Sequence, residues 1–514
     1  MTRRNLLLAL SLSLSLLSVL QVTRASAQEI AWEVGLSSSR TLIEAQGFEG
    51  GDQSATRILY LAGLNGADQS TEQAQLLAEQ YGRLDTPERP VNLIVIPVAN
   101  PDAEDLAFPP VGEAYSEYPV SNALWRWIGV HAPDLVVIGG MDRGGFKYAA
   151  ENFPLAGIGT IPVQVLEEGL LTIEKLNAFR DIAKSPAHLV IERRVSRSPA
   201  ELAHQLALDY GHAFSTPAYV PGMGLIGRMR LGFVGQVEAL LTAYLDGSGI
   251  EIDNPSLMAG QLVFAEHAEL TRDPRSIALV ERAAALAFDE QGNLKEVMPF
   301  HSEMSDSVFM APPLLAKAGR LTGNVQYFDM VEKHVNYMQE LLLRDDGLYS
   351  HSPLADVAWS RGNAFPALGL ALVLSDLPEE HPAYKRLMDF HISHLDVLLT
   401  YQNADGLWRQ VIDFPGSYSE LSSTAMIGIA IKRGLDRGWL AAEKYQPVVD
   451  SIWAAVLERT SVDNEFIDVC ISTGKLSSLD AYLDRSAILG RDDRAGGMIM
   501  NLAIELAGSF NARQ

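Results

Sequence analysis

The chain has a single cysteine, Cys470, among its 514 residues. A disulfide needs two thiols, so no intramolecular disulfide can form, even in a compartment that would permit one. Stability must therefore come from burial of a hydrophobic core, and a hydrophobic share of 47% allows a core of that kind.

Basic residues are scarce relative to acidic ones. The chain has 40 lysines and arginines against 64 aspartates and glutamates, which gives a formal net charge of -24. An acidic surface repels phosphate groups, so we expect no nucleic acid partner and no anionic membrane partner. It does not exclude an acidic ligand, because one buried arginine can still bind a carboxylate.

Long apolar runs are lacking after the N-terminus. Arg3 and Arg4 precede an apolar run over residues 6–20, and Ala25-Ser26-Ala27 follows as a small-residue cleavage pattern. This order predicts a secretory signal peptide over residues 1–27, because a membrane anchor would need roughly 20 apolar residues. We therefore expect a periplasmic or secreted protein that has no membrane contact after signal cleavage.

The rest of the chain divides near residue 220. In residues 28–220, apolar runs at 57–62, 91–98 and 134–138 are each followed by turn residues, with helical patterns between them. Buried runs that alternate with helices predict an α/β domain with a mainly parallel sheet. In such sheets, ligands bind in loops at the carboxyl ends of strands.

Residues 221–514 have the apolar spacing of helices almost throughout. Ten or more amphipathic segments joined by short Gly- and Asp-rich loops predict an all-α domain of paired helices in a closed ring. No sequence repeat of fixed period is evident, which makes an open solenoid the less favoured alternative. The predicted architecture is thus an α/β domain followed by an all-α domain.

Two aspartates in the helical domain are candidates for chemistry. Asp306 stands just before an apolar helical segment, and Asp253 precedes Asn254-Pro255. Each could carry a proton in catalysis, or each could simply cap a helix by accepting hydrogen bonds from free N–H groups. The sequence leaves both interpretations open.

Aromatic and polar residues in nearby segments suit an acidic sugar. The relevant segments are Trp359-Ser360-Arg361-Gly362-Asn363, with His351 before it, and Gly406-Leu407-Trp408. Tryptophan faces stack on sugar rings, and a guanidinium pairs with a uronic carboxylate. Each tryptophan could equally belong to the core, and a lone histidine in a loop could be merely solvated.

The order and spacing of these segments resemble the unsaturated glucuronyl and rhamnogalacturonyl hydrolases of glycoside hydrolase families 88 and 105, over about residues 225–510. The resemblance implies an (α/α)6 barrel that uses neither metal nor cofactor. It implies hydration of the C4=C5 bond of a Δ4,5-unsaturated uronic acid at the non-reducing end of lyase-generated oligosaccharides. It also implies two catalytic residues, Asp306 and Asp253, and five substrate-binding residues, which are His351, Trp359, Arg361, Asn363 and Trp408. Phe365 and Ser472 depart from the family pattern, which leaves subsite preference open.

The α/β domain resembles zinc carboxypeptidases of the M14 type over about 110 residues. The places of the zinc ligands in the first motif hold Asn65 and Asp68, and no histidine stands near Gly139-Gly140. Neutral imidazole and carboxylate are the usual ligands of catalytic zinc, so the resemblance implies a domain that has lost its metal. An unrelated α/β domain is the alternative.

Two other functions stay open at this point. One is a carbohydrate-binding protein that keeps the barrel without catalysis, and the other is a peptidase or esterase activity in the α/β domain. The chain has no Gly-x-Ser-x-Gly, which removes the usual nucleophile elbow of hydrolases. The sequence does not identify the polysaccharide or the oligomeric state.

Overall fold

The computed structural model describes residues 29–52, 55–166 and 171–508. The predicted signal peptide, residues 1–27, lies outside the described residues. Within these ranges no helix combines the length and the apolar character that a membrane span requires.

The N-terminal part contains a six-stranded sheet, and two small antiparallel pairs lie further along the chain. The strands are β1 (Glu29–Leu36), β2 (Leu42–Phe48), β3 (Arg57–Leu61), β4 (Asn92–Ile96), β5 (Leu135–Gly139), β6 (Val163–Leu166), β7 (Trp408–Arg409), β8 (Ser419–Glu420), β9 (Phe466–Cys470) and β10 (Ala487–Gly490).

The six-stranded sheet has the order β1-β2-β4-β3-β5-β6. The neighbouring strands β4, β3, β5 and β6 run parallel to one another, while β1 and β2 form an antiparallel edge. Alternate residues of β3 enter different cores, because successive side chains of a strand point to opposite faces: Leu59 and Leu61 pack on one face, Ile58 and Tyr60 on the other. The predicted α/β domain with a mainly parallel sheet is confirmed.

The helices number twenty in the described ranges. They are α1 (Gln69–Gly82), α2 (Pro119–His131), α3 (Phe146–Asn152), α4 (Ile173–Ala178), α5 (Pro186–Val195), α6 (Pro199–Leu206), α7 (Tyr219–Arg230), α8 (Val234–Leu241), α9 (Pro255–Gly260), α10 (Leu262–Thr271), α11 (Pro274–Ala284), α12 (Ser307–Met310), α13 (Pro312–Thr322), α14 (Gln326–Leu342), α15 (Ser360–Asp376), α16 (Tyr384–Leu399), α17 (Leu421–Asp436), α18 (Ala442–Arg459), α19 (Leu479–Leu483) and α20 (Asp493–Leu506). The predicted helical region after the sheet is confirmed.

Six of these helices pack on one another in succession. Helix α7 packs on α10, α10 on α13, α13 on α15, α15 on α17 and α17 on α20, and α20 returns to α7. Their residues are buried almost all round, as in the run from Leu421 to Ile431 of α17, which is the pattern of helices enclosed by others.

Six more helices each lie against one member of this ring. These outer helices are α6 on α20, α8 on α7, α11 on α10, α14 on α13, α16 on α15 and α18 on α17. Along the chain they alternate with the inner helices. The outer helix α6 and core residues such as Leu202 and Phe214 precede residue 221 and still belong to the helical core. The division of the chain at residue 220 stays a prediction.

The α/β part packs on the helical part through polar contacts of buried arginines. Arg194 of α5 donates to the Glu458 carbonyl over 2.8 Å, and Arg126 of α2 donates to Asp468 over 2.7 Å. Arg409 donates to Glu33 of β1 over 2.7 Å in the opposite direction. A guanidinium is buried only with acceptors at hand, so these pairs fix how the two parts meet.

Candidate functional site

Asp306 lies at the start of the short helix α12, in a segment of unusual backbone conformation. Phe300, Ser302 and Glu303 have positive φ angles of 65°, 54° and 51°. Non-glycine residues adopt this conformation at a cost, so surrounding contacts must hold the segment. One such contact is the 3.0 Å hydrogen bond from the Ser305 N–H to the His351 carbonyl.

The carboxylate of Asp306 does not cap the helix that it precedes. Its side chain accepts no capping hydrogen bond from α12, although the position is the N-cap. The alternative interpretation of Asp306 as a cap is therefore wrong, because the carboxylate makes no hydrogen bond to the start of α12. Its Oδ2 atom lies 3.2 Å from Nε2 of His351.

His351 is held from its other side by a tyrosine. Its Nδ1 atom is 2.7 Å from Oη of Tyr482, and the Leu476 N–H donates to the same Oη over 3.3 Å. The hydrogen bond to Tyr482 occupies Nδ1 and leaves the Nε2 atom of His351 facing Asp306. Burial, with the nearby Asp306 charge adding to it, raises the pKa of Tyr482, which keeps the hydroxyl protonated.

Trp359 contacts two of the predicted site residues with its ring. The ring centroids of Trp359 and His351 are 4.4 Å apart, and the Arg361 guanidinium lies 4.5 Å from the Trp359 ring centre. A Cβ on Gly362 would lie 2.8 Å from Ser305 Oγ, 3.3 Å from Trp359 and 3.4 Å from His351. These three side chains therefore meet at Gly362, where only glycine leaves room.

Four buried polar atoms at this place have unused hydrogen-bonding capacity. They are Ser305 Oγ, Asp306 Oδ2, His351 Nε2 and Trp359 Nε1, which find no hydrogen-bond partner among the described residues. The 3.2 Å approach of Asp306 to His351 is a close charge contact, but the two groups are not aligned as a hydrogen bond. Buried polar groups rarely stay unpaired, so the cluster is suited to a polar ligand and to water.

The guanidinium of Arg361 is already occupied by protein groups. It donates to the Cys470 carbonyl over 2.9 Å, to the Ile471 carbonyl over 2.8 Å and to Ser422 Oγ over 3.1 Å. The Glu420 carboxylate is 3.6 Å away. Burial by itself would lower the pKa of Arg361, but the Cys470 side chain and the Glu420 carboxylate raise it, so the group stays charged.

The side chains of Asn363 and Trp408 form hydrogen bonds with backbone groups of the protein itself. Asn363 accepts from the Tyr349 N–H over 2.8 Å and donates to the carbonyls of Tyr349 and Trp359 over 2.9 and 3.1 Å. It thereby ties the Trp359 segment to the segment that leads into His351. Trp408 is fully buried in the helical core and donates to the Leu398 carbonyl over 2.7 Å. The roles of both residues in substrate binding stay predictions.

Asp253 lies exposed before α9. The cap of that helix is Asn254, whose side chain accepts from the Leu257 N–H, so the interpretation of Asp253 as the cap is wrong. Asp253 accepts a 2.7 Å hydrogen bond from the Asn254 side chain. Helix α9, which begins two residues after Asp253, packs on α12, which begins directly after Asp306.

We expect the substitution Tyr482→Phe to lower kcat by roughly tenfold while KM changes little. Without the hydroxyl, the His351 tautomer and ring orientation are no longer fixed opposite Asp306. The loss of one hydrogen bond should lower the free energy of unfolding by only about 1 kcal/mol. Steady-state kinetics and urea unfolding measure the two effects, and an unchanged kcat would remove Tyr482 from the site.

His334 of α14 secures the Asp306 segment on its buried side. Its Nε2 atom donates to the Ser307 carbonyl over 3.1 Å, and its Nδ1 atom accepts from the Met298 N–H over 3.3 Å. Burial lowers the pKa of His334 to about 4, and burial likewise lowers that of His391 in α16 to about 3. Both side chains are therefore neutral in the folded protein near neutral pH.

Because these two histidines are neutral in the folded protein, we expect the free energy of unfolding to decrease at acid pH. Between about pH 6.5 and 4 the unfolded state binds more protons than the folded one, so stability falls as pH falls through that window. Each histidine should lower the free energy of unfolding by about 1.4 kcal/mol per pH unit there. Urea unfolding at several pH values measures the slope. His391→Leu should flatten it, and an equal slope in this variant would contradict the assignment.

The structure gives no sign of a metal centre. No group of three or more histidine, cysteine, aspartate or glutamate side chains is suitably placed within residues 29–52, 55–166 and 171–508. In the α/β part, Asp68 caps α1, and Asn65 accepts a hydrogen bond from Arg143. The resemblance of this part to M14 carboxypeptidases stays a prediction.

A large cavity lies elsewhere, between the two parts of the chain. A space of about 580 Å³ opens between the sheet and α18, lined by Trp32, His131, Asp405 and Glu458 among others. It contains none of the predicted site residues. We give more weight to the Asp306 cluster, because chemistry depends on reactive groups rather than on volume.

Comparison with known families bears directly on this site. The family model described as Glycosyl Hydrolase Family 88 matches residues 250–508, half of the chain. The chain belongs to glycosyl hydrolase family 88. The matched residues of this family 88 protein contain Asp253, Asp306, His351, Trp359 and Arg361, and the predicted family resemblance is confirmed.

Curated relatives of this family 88 protein are similar over shorter stretches. An unsaturated 3S-rhamnoglycuronyl hydrolase of Formosa agariphila is 28% identical over 173 residues, covering 30% of this chain and 45% of the relative. One of the same name from Alteromonas sp. is 25% identical over 171 residues, covering 31% and 41%. An unsaturated rhamnogalacturonyl hydrolase of Bacillus subtilis, YesR, is 24% identical over 189 residues, covering 35% and 52%. The chain thus spans about half the length of the curated relatives it matches.

Solved structures share the fold of the helical part. A possible member of family 105 from Salmonella enterica has a TM-score of 0.53 at 20% identity, covering 61% of this chain and 95% of that one. A family 88 protein from Bacteroides vulgatus has a TM-score of 0.50 at 16% identity, covering 61% and 100%. At these identities the likeness concerns the fold alone.

Two residues of the site carry no sequence signal. Ser305 and Tyr482 reach the cluster from separate segments, and neither stands in a motif that marks it. Tyr482 is 131 positions from His351, and only the folding of the loop after β9 onto the His351 segment brings them together. An alignment of related sequences could have flagged them, whereas one sequence could not.

Proposed function

We propose that this protein is an exported hydrolase of Δ4,5-unsaturated uronyl oligosaccharides, with Asp306 as the catalytic acid and base. The four polar atoms of the Asp306 cluster carry the proposal, because they are buried together and have hydrogen-bonding capacity that other described residues do not use. Membership of family 88 and the names of the similar unsaturated rhamnoglycuronyl and rhamnogalacturonyl hydrolases support the same reaction class.

The reaction proceeds by addition of water to the vinyl ether of the terminal uronate. Asp306 donates its proton to C4, and positive charge develops at C5, where the ring oxygen stabilises it. Water then adds to C5 and returns a proton to the Asp306 carboxylate. The hemiketal opens by cleavage of the bond between C5 and the ring oxygen, and the resulting hemiacetal at C1 releases the remaining sugar as an alcohol. Net consumption is one water.

The neighbouring residues orient the substrate for this step. His351 presents its Nε2 atom to the Asp306 carboxyl group at 3.2 Å and limits where that group can lie. Trp359 is in contact with His351 and Arg361, and we assign its unpaired indole N–H to a sugar oxygen. Arg361 supports the site through Trp359 and the Cys470 carbonyl, and it contributes positive potential for a uronate. Asp253 is the second carboxylate of the pair.

We further propose that the helical part is an (α/α)6 barrel that starts at α6. Six inner helices that pack in a closed cycle, each with an outer helix, support this architecture. The barrel then takes in α6 and α7, although the family model begins at residue 250. Export to the periplasm or the medium is part of the proposal and rests on the N-terminal sequence pattern.

The test is loss of the ultraviolet absorbance of the conjugated uronate in disaccharides released by lyases from several polysaccharides. Activity on one or more of these compounds would support the proposal and would rank the substrates. Binding without loss of absorbance would instead support the carbohydrate-binding barrel. A peptidase or esterase activity in the α/β part would show on standard peptide and ester substrates, and we expect none.

A further inference from the structure

The α/β part binds β9, the strand whose Cys470 carbonyl holds Arg361 beside the Asp306 site. Arg126 of α2 lies 2.7 Å from the carboxylate of Asp468 in β9, and Tyr115 donates to the same carboxylate over 3.0 Å. The side chains of Arg126 and Asp468 are 7% and 9% exposed. Arg126 also donates to the Ala487 carbonyl of β10 over 3.2 Å. A buried ion pair of this kind fixes geometry, because either charge left alone would be costly.

Two residues after Asp468 in β9, the backbone of Cys470 contacts the Arg361 side chain of the site. The Cys470 carbonyl accepts from Arg361 over 2.9 Å and from Arg494 over 3.0 Å, and the Cys470 N–H donates to Glu420 over 2.9 Å. Asp468 itself has a φ of 63°, a strained conformation that persists only where its surroundings hold it. Asp468, the residue with this strained backbone, is also the residue whose carboxylate binds Arg126 and Tyr115.

A second contact reaches the other side of the site. Arg40, in the turn between β1 and β2, lies 2.7 Å from Asp484 and 3.6 Å from Asp480. These two aspartates flank Tyr482 in and just after α19, and Tyr482 holds His351. The α/β part is therefore tied to both segments that support the Trp359 and His351 side chains.

We infer that the α/β part is a positioning element of the Asp306 site and acts through Arg126 and Arg40. The role in catalysis rests on the proposed function, whereas the mechanical link to β9 does not. Both arginines lie before residue 250, outside the region that the family model matches. The site of this chain is thus completed by a part that the family region does not contain.

The link to β9 has a reporter that needs no substrate. Cys470 is the one cysteine of the chain and is fully buried on β9, so its rate of labelling by a thiol reagent measures how often β9 opens. In Arg126→Gln we expect labelling of the native full-length protein to be faster by roughly tenfold or more. Arg194→Gln is the matched control, because Arg194 is also a buried arginine between the two parts but binds α18. Its labelling rate should stay within about twofold of wild type.

Milder variants cover the case in which Arg126→Gln does not fold. Tyr115→Phe removes only the hydroxyl on Asp468 and should still raise the labelling rate by a few fold. Arg40→Ala removes a surface contact and should lower kcat by several fold at nearly unchanged KM, with a displaced pH profile, because His351 loses its support. Arg275→Ala, which removes an exposed ion pair with Asp273, is the control for Arg40→Ala. It should change neither kcat nor the pH profile.

The outcomes separate the two proposals. Faster labelling in Arg126→Gln and Tyr115→Phe but not in Arg194→Gln supports the link, even if wild type hydrates no substrate and the proposed function fails. Equal labelling in all variants overturns the link, even if wild type is active. An active Arg40→Ala with wild-type kcat and pH profile removes Arg40 from the inference and leaves Arg126 alone.

Discussion

Asp306→Asn should abolish hydration, with kcat reduced by about 10³-fold or more. An amide has nearly the shape of a carboxyl group but cannot give a proton to C4 or take one from water. His351 is not placed to replace it, because its Nδ1 atom binds Tyr482 and its Nε2 atom faces Asp306 itself. The measurement is the rate of absorbance loss on the best disaccharide, at equal concentrations of folded protein.

The control must show that the loss is chemical. Because the Asp306 carboxylate caps no helix and its Oδ2 atom accepts no hydrogen bond in the described ranges, Asp306→Asn should leave the urea midpoint close to that of wild type. Asp389→Asn, on the exposed side of α16, is the matched surface variant and should keep full activity. A folded Asp306→Asn with substantial activity would refute the assignment of the catalytic group.

The α/β part and the helical part could be predicted because each has its own pattern of apolar residues. Continuous apolar runs such as 57–62 mark buried parallel strands, and three- and four-residue spacing marks the helices. The spacing does not say where a ring of helices begins. Helix α6 is short, follows helices of the α/β part and looks like one of them, yet it packs on α20 at the other end of the chain.

The site was predictable only in part, for a related reason. The types of residue near His351 and Trp359 indicate sugar chemistry, but type does not reveal which side of a residue faces the ligand. Trp408 looks like a sugar platform in sequence and is a core residue in the structure, with its indole N–H on the Leu398 carbonyl. Arg361 looks like a free cation, and its partners from the segment after α18 become visible only when the chain is folded.

Arg361→Met should lower the free energy of unfolding by about 3–5 kcal/mol. The guanidinium is 2% exposed and lies 3.6 Å from the fully buried Glu420 carboxylate. Methionine fills much of the volume but leaves Glu420 as a buried charge without its counterion, and it leaves the Ile471 carbonyl without that donor. Activity should fall as well, because Trp359 loses its stacking partner and β9 loses one of its anchors.

The choice of control decides whether that loss of activity is local. Arg433 of α17 is also buried and forms an ion pair with Glu505, on a part of the ring that contains no predicted site residue. Arg433→Met should also destabilise the protein, though by less because Arg230 remains 3.7 Å from Glu505, while the folded fraction keeps its kcat. If Arg361→Met also kept wild-type kcat per folded molecule, the arginine would serve stability alone.

The double variant Arg361→Met with Glu420→Gln tests the pair itself. Glutamine removes the buried charge and keeps one of the two oxygens, Oε2 and Oε1, that now accept from the N–H groups of Ser423 over 2.6 Å and Cys470 over 2.9 Å. The double variant should therefore be more stable than the sum of the single effects predicts, with a coupling energy of about 1–3 kcal/mol in urea unfolding. Strict additivity would mean that Glu420 is held by its backbone donors alone, and that Arg361 is retained for the potential it creates beside Asp306.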